Sequence, residues 1–173
     1  MKAVIVYQSH TGFTEQYAKW LADILCCPCK PLKQTSAAEL RGYDQVIFGG
    51  WIMGNMIMGL DKLRARTAPA AVFAVGATPP YCEVIDKIRE QNKLGNTPLF
   101  YMEGGFRFEQ LSFPQKVLLK ALKRSTAKKE NRSRQEDFLV RILGTSFDHS
   151  GKEQLAVLLG HLADNKSAEI FKK

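Results

Sequence analysis

Long apolar runs, a signal sequence and disulfide spacings are all missing from this sequence. No stretch approaches the roughly 20 consecutive apolar residues that a bilayer-spanning helix needs. The chain runs from Met1 straight into the strand-like segment 3–7, without the pattern of a signal sequence. Only four cysteines occur, and three of them crowd between Cys26 and Cys29, where a disulfide framework would space them out. These absences predict a cytoplasmic protein with reduced thiols.

Metal-ligand sets and the common nucleotide loops are missing as well. No second cluster of Cys or His completes the thiols at 26–29, so we expect no metal site. A Walker loop needs Gly-Lys-Ser or Gly-Lys-Thr, and a dinucleotide loop needs three glycines in the pattern Gly-x-Gly-x-x-Gly. The one Gly-Lys pair, Gly151-Lys152, is followed by Glu153, and the triple-glycine pattern does not occur. The sequence therefore favours neither class of nucleotide-binding protein.

Short apolar runs alternate with helix-period segments along the 173 residues. The strand-like runs occupy residues 3–7, 46–48, 71–75 and 98–102, with a weaker edge strand at 28–32. The amphipathic segments occupy residues 13–25, 59–67, 80–92 and 151–166. Because the runs read as strands buried on both faces, the alternation predicts an α/β fold with a three-layer, doubly wound parallel sheet of five strands. The length and the 45% apolar content fit a single domain over residues 1–173.

Residues 104–150 break this alternation and form an insert before the last helix. The net charge of +8 concentrates there, on Lys116, Lys120, Lys123, Arg124, Lys128, Lys129, Arg132 and Arg134, with Glu130 as the one acid among them. Apolar residues at 113, 117, 118, 119 and 122 alternate with these cations. This composition predicts a peripheral contact of residues 113–134 with the anionic inner face of a membrane, or with a protein partner. The alternative is a helix packed on its own domain with a solvated lysine face, and no recognition motif points to nucleic acid.

The first predicted strand is followed directly by the loop Ser9-His10-Thr11-Gly12-Phe13-Thr14, with a helix beginning near its end. This loop offers three hydroxyls, one glycine that permits a tight turn, and the unpaired amides of a helix N-terminus. Together these groups favour a phosphate dianion. The alternative is an ordinary turn in which the Ser and Thr side chains only cap the helix.

The hexapeptide resembles the [Ser/Thr]-x-Thr-Gly-x-Thr loop of the flavodoxin family, which holds the phosphate of FMN. The resemblance implies the strand order 2-1-3-4-5, with FMN at the carboxyl ends of the strands. It implies phosphate contacts from Ser9, His10, Thr11, Gly12, Phe13 and Thr14. Two further loops, at 49–55 and 76–82, should flank the flavin ring. From these loops we expect contacts by Gly50, Trp51, Ile52, Met53, Gly54, Gly76, Ala77, Thr78 and Tyr81.

Individual side chains have more specific expected roles at this site. The flat face of Trp51 suits stacking on the ring, and Ile52 and Met53 would keep the pocket dry, while the glycines let the backbone approach the ring edge. The alternative for Trp51 is a core position beneath a glycine-rich loop. Tyr81 is a candidate for the opposite face of the ring. His10 is expected to contribute its backbone rather than to act as a catalyst.

The insert carries a second resemblance, to the flavodoxin-like branch that contains the bacterial quinone-dependent protoporphyrinogen oxidases. In that branch a Gly-Gly-aromatic-basic-aromatic segment leads into a basic amphipathic helix, and the counterpart here is Gly104-Gly105-Phe106-Arg107-Phe108 through Arg134. The resemblance implies an FMN-dependent oxidoreductase that works with a redox partner or a quinone. A flavodoxin-type electron carrier is one alternative, although such carriers are usually acidic. A non-catalytic interaction module is the other.

Overall fold

A parallel sheet forms the centre of the protein, whose computed structural model describes residues 2–170, with side chains described up to Asp164. Its strands are β1 (Ala3–Gln8), β2 (Cys29–Pro31), β3 (Gln45–Met53), β4 (Met56–Ile57), β5 (Ala71–Gly76) and β6 (Leu99–Glu103). Five of them run parallel in the order β2-β1-β3-β5-β6, and the two-residue β4 pairs antiparallel with the end of β3. The predicted doubly wound sheet is therefore confirmed, with β5 and β6 as its fourth and fifth parallel strands.

The described residues form seven α-helices, and all but the two in the insert cover the faces of the sheet. They are α1 (Phe13–Leu25), α2 (Ala37–Leu40), α3 (Leu60–Arg64), α4 (Cys82–Gln91), α5 (Phe113–Ala127), α6 (Arg134–Ile142) and α7 (Ala156–Ile170). Because strand side chains alternate, Ile5 and its same-face neighbours pack against α1 and α7, whereas Val4 and Val6 pack against α2, α3 and α4. Three layers result, with one hydrophobic core on each side of the sheet.

Most predicted elements occur where the sequence places them, and the differences are at their ends. The helix over 13–25 is found with those bounds. The predicted helix over 80–92 begins only at Cys82, because Tyr81 has an extended backbone (φ −66°, ψ 136°). The last helix begins at Ala156, after a 3₁₀ turn over Lys152–Leu155.

The predicted loop at 49–55 is the main correction to the fold. Strand β3 continues through this segment to Met53, beyond the end of its partner β5, and turns back into β4. Gly54 and Asn55 form the turn with positive φ angles of 56° and 67°, as two-residue hairpin turns require. Trp51 and Ile52 therefore lie on an extended strand and not on a flexible loop.

Gly49 and Gly50 make room for protein side chains. A Cβ at Gly49 would lie 2.0 Å from Cζ of Phe73, and a Cβ at Gly50 would lie 2.5 Å from Cγ2 of Ile57. Both glycines are within the buried part of β3. Glycine at both positions therefore meets a packing requirement of the protein.

A short antiparallel strand pair joins the two ends of the insert at 104–150. Strands β7 (Gly105–Phe106) and β8 (Phe147–Asp148) pair antiparallel, so the segment leaves and rejoins the fold at one place. Between them α5 and α6 pack on each other. Within residues 2–170 no helix combines the length and the apolar character that crossing a membrane takes.

The packing role of Gly49 can be tested by Gly49→Ala. The added methyl would overlap the Phe73 ring, and overpacking of this kind typically costs about 1–3 kcal/mol of unfolding free energy. Gly160→Ala is the matched control, since a Cβ there meets nothing within 4 Å and α7 should gain about 0.5–1 kcal/mol. Urea unfolding measures both changes. Equal stability of Gly49→Ala and the parent would contradict this account of β3.

Candidate functional site

The loop between β1 and α1 turns at Gly12, which is the N-cap of α1. Its φ of 95° lies in the left-handed region that glycine adopts without strain. The Gly12 amide donates to Oγ of Ser9 at 3.1 Å, which fixes the loop, and the first helical bond runs from the Gln16 amide to the Gly12 carbonyl at 2.9 Å. The helical amides before Gln16 have no partner in a preceding turn and are available to an anion.

The two threonines of the loop are also available to a ligand. No hydrogen bond from any described residue engages the hydroxyl of Thr11 or Thr14. Thr14 is only 1% exposed. Every fully buried side-chain oxygen or nitrogen in residues 2–164 has a hydrogen-bond partner, so the unpartnered Thr14 hydroxyl is not fully buried. The Thr14 hydroxyl therefore keeps a small accessible surface. Hydroxyls, amides and a helix N-terminus in this arrangement fit a phosphate group.

Arg107 adds a cation that the sequence analysis did not assign to this loop. Its guanidinium carbon lies 4.7 Å from the centroid of the Phe13 ring. Its Nη1 lies 3.6 Å from the position that a Cβ would take at Gly12. The topology predicts that the insert begins beside the flavin site, at the carboxyl end of the last strand, but no sequence spacing assigns Arg107 to the first loop.

Two glycines allow the insert to pass this close to the loop. A Cβ at Gly104 would lie 2.7 Å from Cγ1 of Val75, and one at Gly105 would lie 2.5 Å from Cζ of Phe13. Any larger residue would push the chain away from the start of α1. The contact between Arg107 and the loop depends on this close passage.

Trp51 lies beside the same loop, as the sequence predicts. Its ring stacks on His10, with centroids 5.1 Å apart and an angle of 24° between the planes. Trp51 belongs to neither hydrophobic core, so the alternative of a core tryptophan does not hold. The His10 side chain, for which only a backbone role was expected, instead covers one face of the indole.

The other predicted contacts fall into two groups. Ile52 and Tyr81 pack against the core on the α4 side of the sheet, whereas Met53 and Gly54 are exposed at the hairpin end. Gly76 ends β5, Ala77 and Thr78 follow it directly, and Tyr101 on β6 contacts this segment. Its hydroxyl donates to the Thr78 carbonyl, and burial raises the pKa of this phenol. A Cβ at Gly76 would lie 2.2 Å from that hydroxyl oxygen, so this glycine too serves packing.

The insert connects the phosphate loop with the hairpin. At its start Arg107 covers Phe13, and on α6 Nε2 of Gln135 donates to Oδ1 of Asn55 at 3.3 Å. Loop, hairpin and insert therefore border the carboxyl edge of the sheet on three sides. That edge is where doubly wound proteins bind ligands.

A family comparison agrees with this geometry. The family model described as a flavodoxin domain matches residues 4–133, three quarters of the chain. The chain belongs to the flavodoxin family. FMN is the cofactor of flavodoxin domains and of this chain, and the loop at the end of β1 offers the groups that its phosphate needs. The matched range of this flavodoxin-family protein extends into the insert as far as the end of α5 and the turn after it.

Flavodoxins are among the solved structures with similar backbones. A flavodoxin from the domain Archaea aligns with 60% of this chain and 83% of its own, at 15% identity and a TM-score of 0.41. Oxidised Flavodoxin 2 from Bacillus cereus aligns with 60% of this chain and 84% of its own, at 21% identity and a TM-score of 0.44. Among curated proteins, none matches this chain significantly.

Arg107→Gln should weaken FMN binding without affecting the fold. A charge-assisted hydrogen bond to phosphate contributes roughly 1.5–3 kcal/mol, so the dissociation constant should rise at least about tenfold. Arg134→Gln is the matched control, because Arg134 is an exposed cation of the same insert. Titration of apoprotein with FMN, followed by flavin fluorescence, gives both constants. If the two variants bind FMN equally well, Arg107 has no part in the site.

Proposed function

We propose that this flavodoxin-family protein is an FMN-dependent oxidoreductase of the protoporphyrinogen oxidase type, with a quinone as electron acceptor. The observation that carries the proposal is the placement of the insert, which contacts both the phosphate loop and the hairpin that bears Trp51. A bordered entrance of this kind suits a small organic substrate. An electron shuttle instead needs an open ring edge that a partner protein can approach.

The proposed roles follow from the contacts at the strand ends. Thr11, Thr14 and the first amides of α1 hold the phosphate of FMN, and Arg107 offsets its charge. Trp51 borders the flavin ring on the hairpin side, where its stacked partner His10 adds a second flat group. Bound FMN supplies the redox chemistry, taking an electron pair from the donor and passing it to the acceptor. The chain's own residues bind, orient and exclude water.

The charge of the protein supports a small anionic substrate over a protein redox partner. Flavodoxins that exchange electrons with basic reductases are usually acidic, whereas this chain carries +8. Protoporphyrinogen carries propionate carboxylates, which cations of the insert would attract. Arg107 already shows that the insert brings positive charge to the edge of the sheet.

Spectra and turnover of the purified protein test the proposal. Flavin absorbance should accompany the protein, and the FMN-loaded form should oxidise protoporphyrinogen while reducing one quinone for each electron pair withdrawn. The apoprotein and free FMN at the same concentration are the controls, and both should give only the background rate. Turnover should also rise in proportion to the bound flavin.

Two outcomes would contradict the proposal in different ways. If the protein carries FMN and accepts electrons from a flavodoxin reductase but gives no turnover with protoporphyrinogen, it is an electron carrier. If the folded protein binds no flavin at millimolar FMN, it is a non-catalytic module with this fold.

A further inference from the structure

The outward side of α5 exposes large apolar side chains to solvent. Phe113 is 79% exposed, Leu118 68%, Val117 51% and Leu122 46%. Phe113 and Val117 follow one row of the helix with a spacing of four residues, and Leu118 and Leu122 follow the adjacent row, so the four side chains span the solvent-facing half of α5. The sequence alone left open whether these residues pack on the domain. The structure turns them away from it.

Half of the cations in the basic stretch are engaged within the insert itself. Lys123 donates to the Leu143 carbonyl at 2.8 Å, and Lys116 donates to the Glu109 carbonyl at 3.2 Å. The other two engaged cations form ion pairs, Lys129 with Glu136 and Arg132 with Asp137, both at 2.6 Å. These four side chains stabilise the insert.

The remaining cations lie where the apolar face is. Lys120, Arg124 and Lys128 follow a third row with the same four-residue spacing, next to the row of Phe113 and Val117. All three are exposed, and none has a charged partner among the described residues. Helix α5 contains no acidic residue. The face therefore combines exposed hydrocarbon with uncompensated positive charge.

This combination decides between the possible occupants of the face. A second copy of the chain would bring the same cations against these, and like charges disfavour that contact. The face is one exposed side of a helix, and its apolar side chains project from it. Amphipathic helices with cations beside an apolar face lie in the plane of anionic bilayers, with the apolar side chains among the acyl chains.

We infer that the outer face of α5 docks on an anionic lipid surface. Phe113, Val117, Leu118 and Leu122 enter the interface, and Lys120, Arg124 and Lys128 pair with lipid phosphates. The docking does not require FMN or turnover. If the proposed function also holds, the insert that borders the flavin site would attach to the lipid bilayer, in which quinones dissolve.

Sedimentation with vesicles tests this docking. The parent protein should sediment with vesicles of equal parts phosphatidylglycerol and phosphatidylcholine at low salt, remain in solution with pure phosphatidylcholine, and be released as salt rises. The double variant Phe113→Ser with Leu118→Ser should lower the partition coefficient at least about tenfold. Loss of the cations should weaken binding as much as loss of the apolar side chains, because stable anchoring of this kind needs both. Changing Lys120, Arg124 and Lys128 to Gln should therefore have a similar effect.

Matched control variants show whether binding depends on the outer face of α5 or only on the total hydrophobicity and charge of the protein. Ile24→Ser with Val157→Ser removes two apolar side chains of comparable exposure elsewhere, at 50% and 73%. Changing Arg41, Lys87 and Lys93 to Gln removes the same net charge from exposed positions outside the insert. Both controls should bind anionic vesicles within about twofold of the parent. An unchanged FMN affinity shows that each α5 variant is folded.

Several results would overturn the inference. One is a parent protein that stays in the supernatant with anionic vesicles at low salt. Another is a control variant that loses as much binding as its α5 counterpart, or α5 variants that bind like the parent. A third is a parent dimer, seen by sedimentation velocity, that Phe113→Ser with Leu118→Ser converts to monomer, because a second copy would then cover the face.

Discussion

The turn at Gly12 is the constraint on which the rest of the site depends. It ends the extended chain after β1 and starts α1 within a few residues, so that the open amides of the helix, Thr11 and Thr14 all belong to one turn. The parallel sheet fixes this turn relative to the other strand ends, because β1 is held between β2 and β3. The position of the site is therefore set by the carboxyl edge of the sheet and not by one loop alone.

Close packing, and not loop flexibility, brings the other elements to this edge. Gly49 and Gly50 admit Phe73 and Ile57, while Gly104 and Gly105 let the insert cross Phe13. The hairpin and the insert can then approach the phosphate loop, which Trp51 and Arg107 reach from two distant positions later in the sequence. Close packing thus supports a site built from residues about 100 positions apart along the chain.

The sequence predicted those parts of the protein that depend on local pattern. The parallel strands and α1 follow from periodicity, and the turn between β1 and α1 follows from its residue types; these elements are found as expected. The continuation of β3 through Gly49 to Met53 was missed because glycines favour loops, and only the Phe73 and Ile57 side chains explain them. The contact of Arg107 with the first loop is a tertiary contact between distant segments, which no local pattern encodes.

The central claim, that the loop after β1 holds a phosphate, is tested most directly by comparing FMN with riboflavin, which lacks the phosphate. With several charge-assisted bonds of roughly 1.5–3 kcal/mol each, FMN should bind the apoprotein at least about a hundredfold more tightly than riboflavin. Thr11→Ala should reduce this preference, whereas Thr97→Ala, at the opposite edge of the sheet, should leave it unchanged. Equal affinity for FMN and riboflavin in the parent protein would contradict the account.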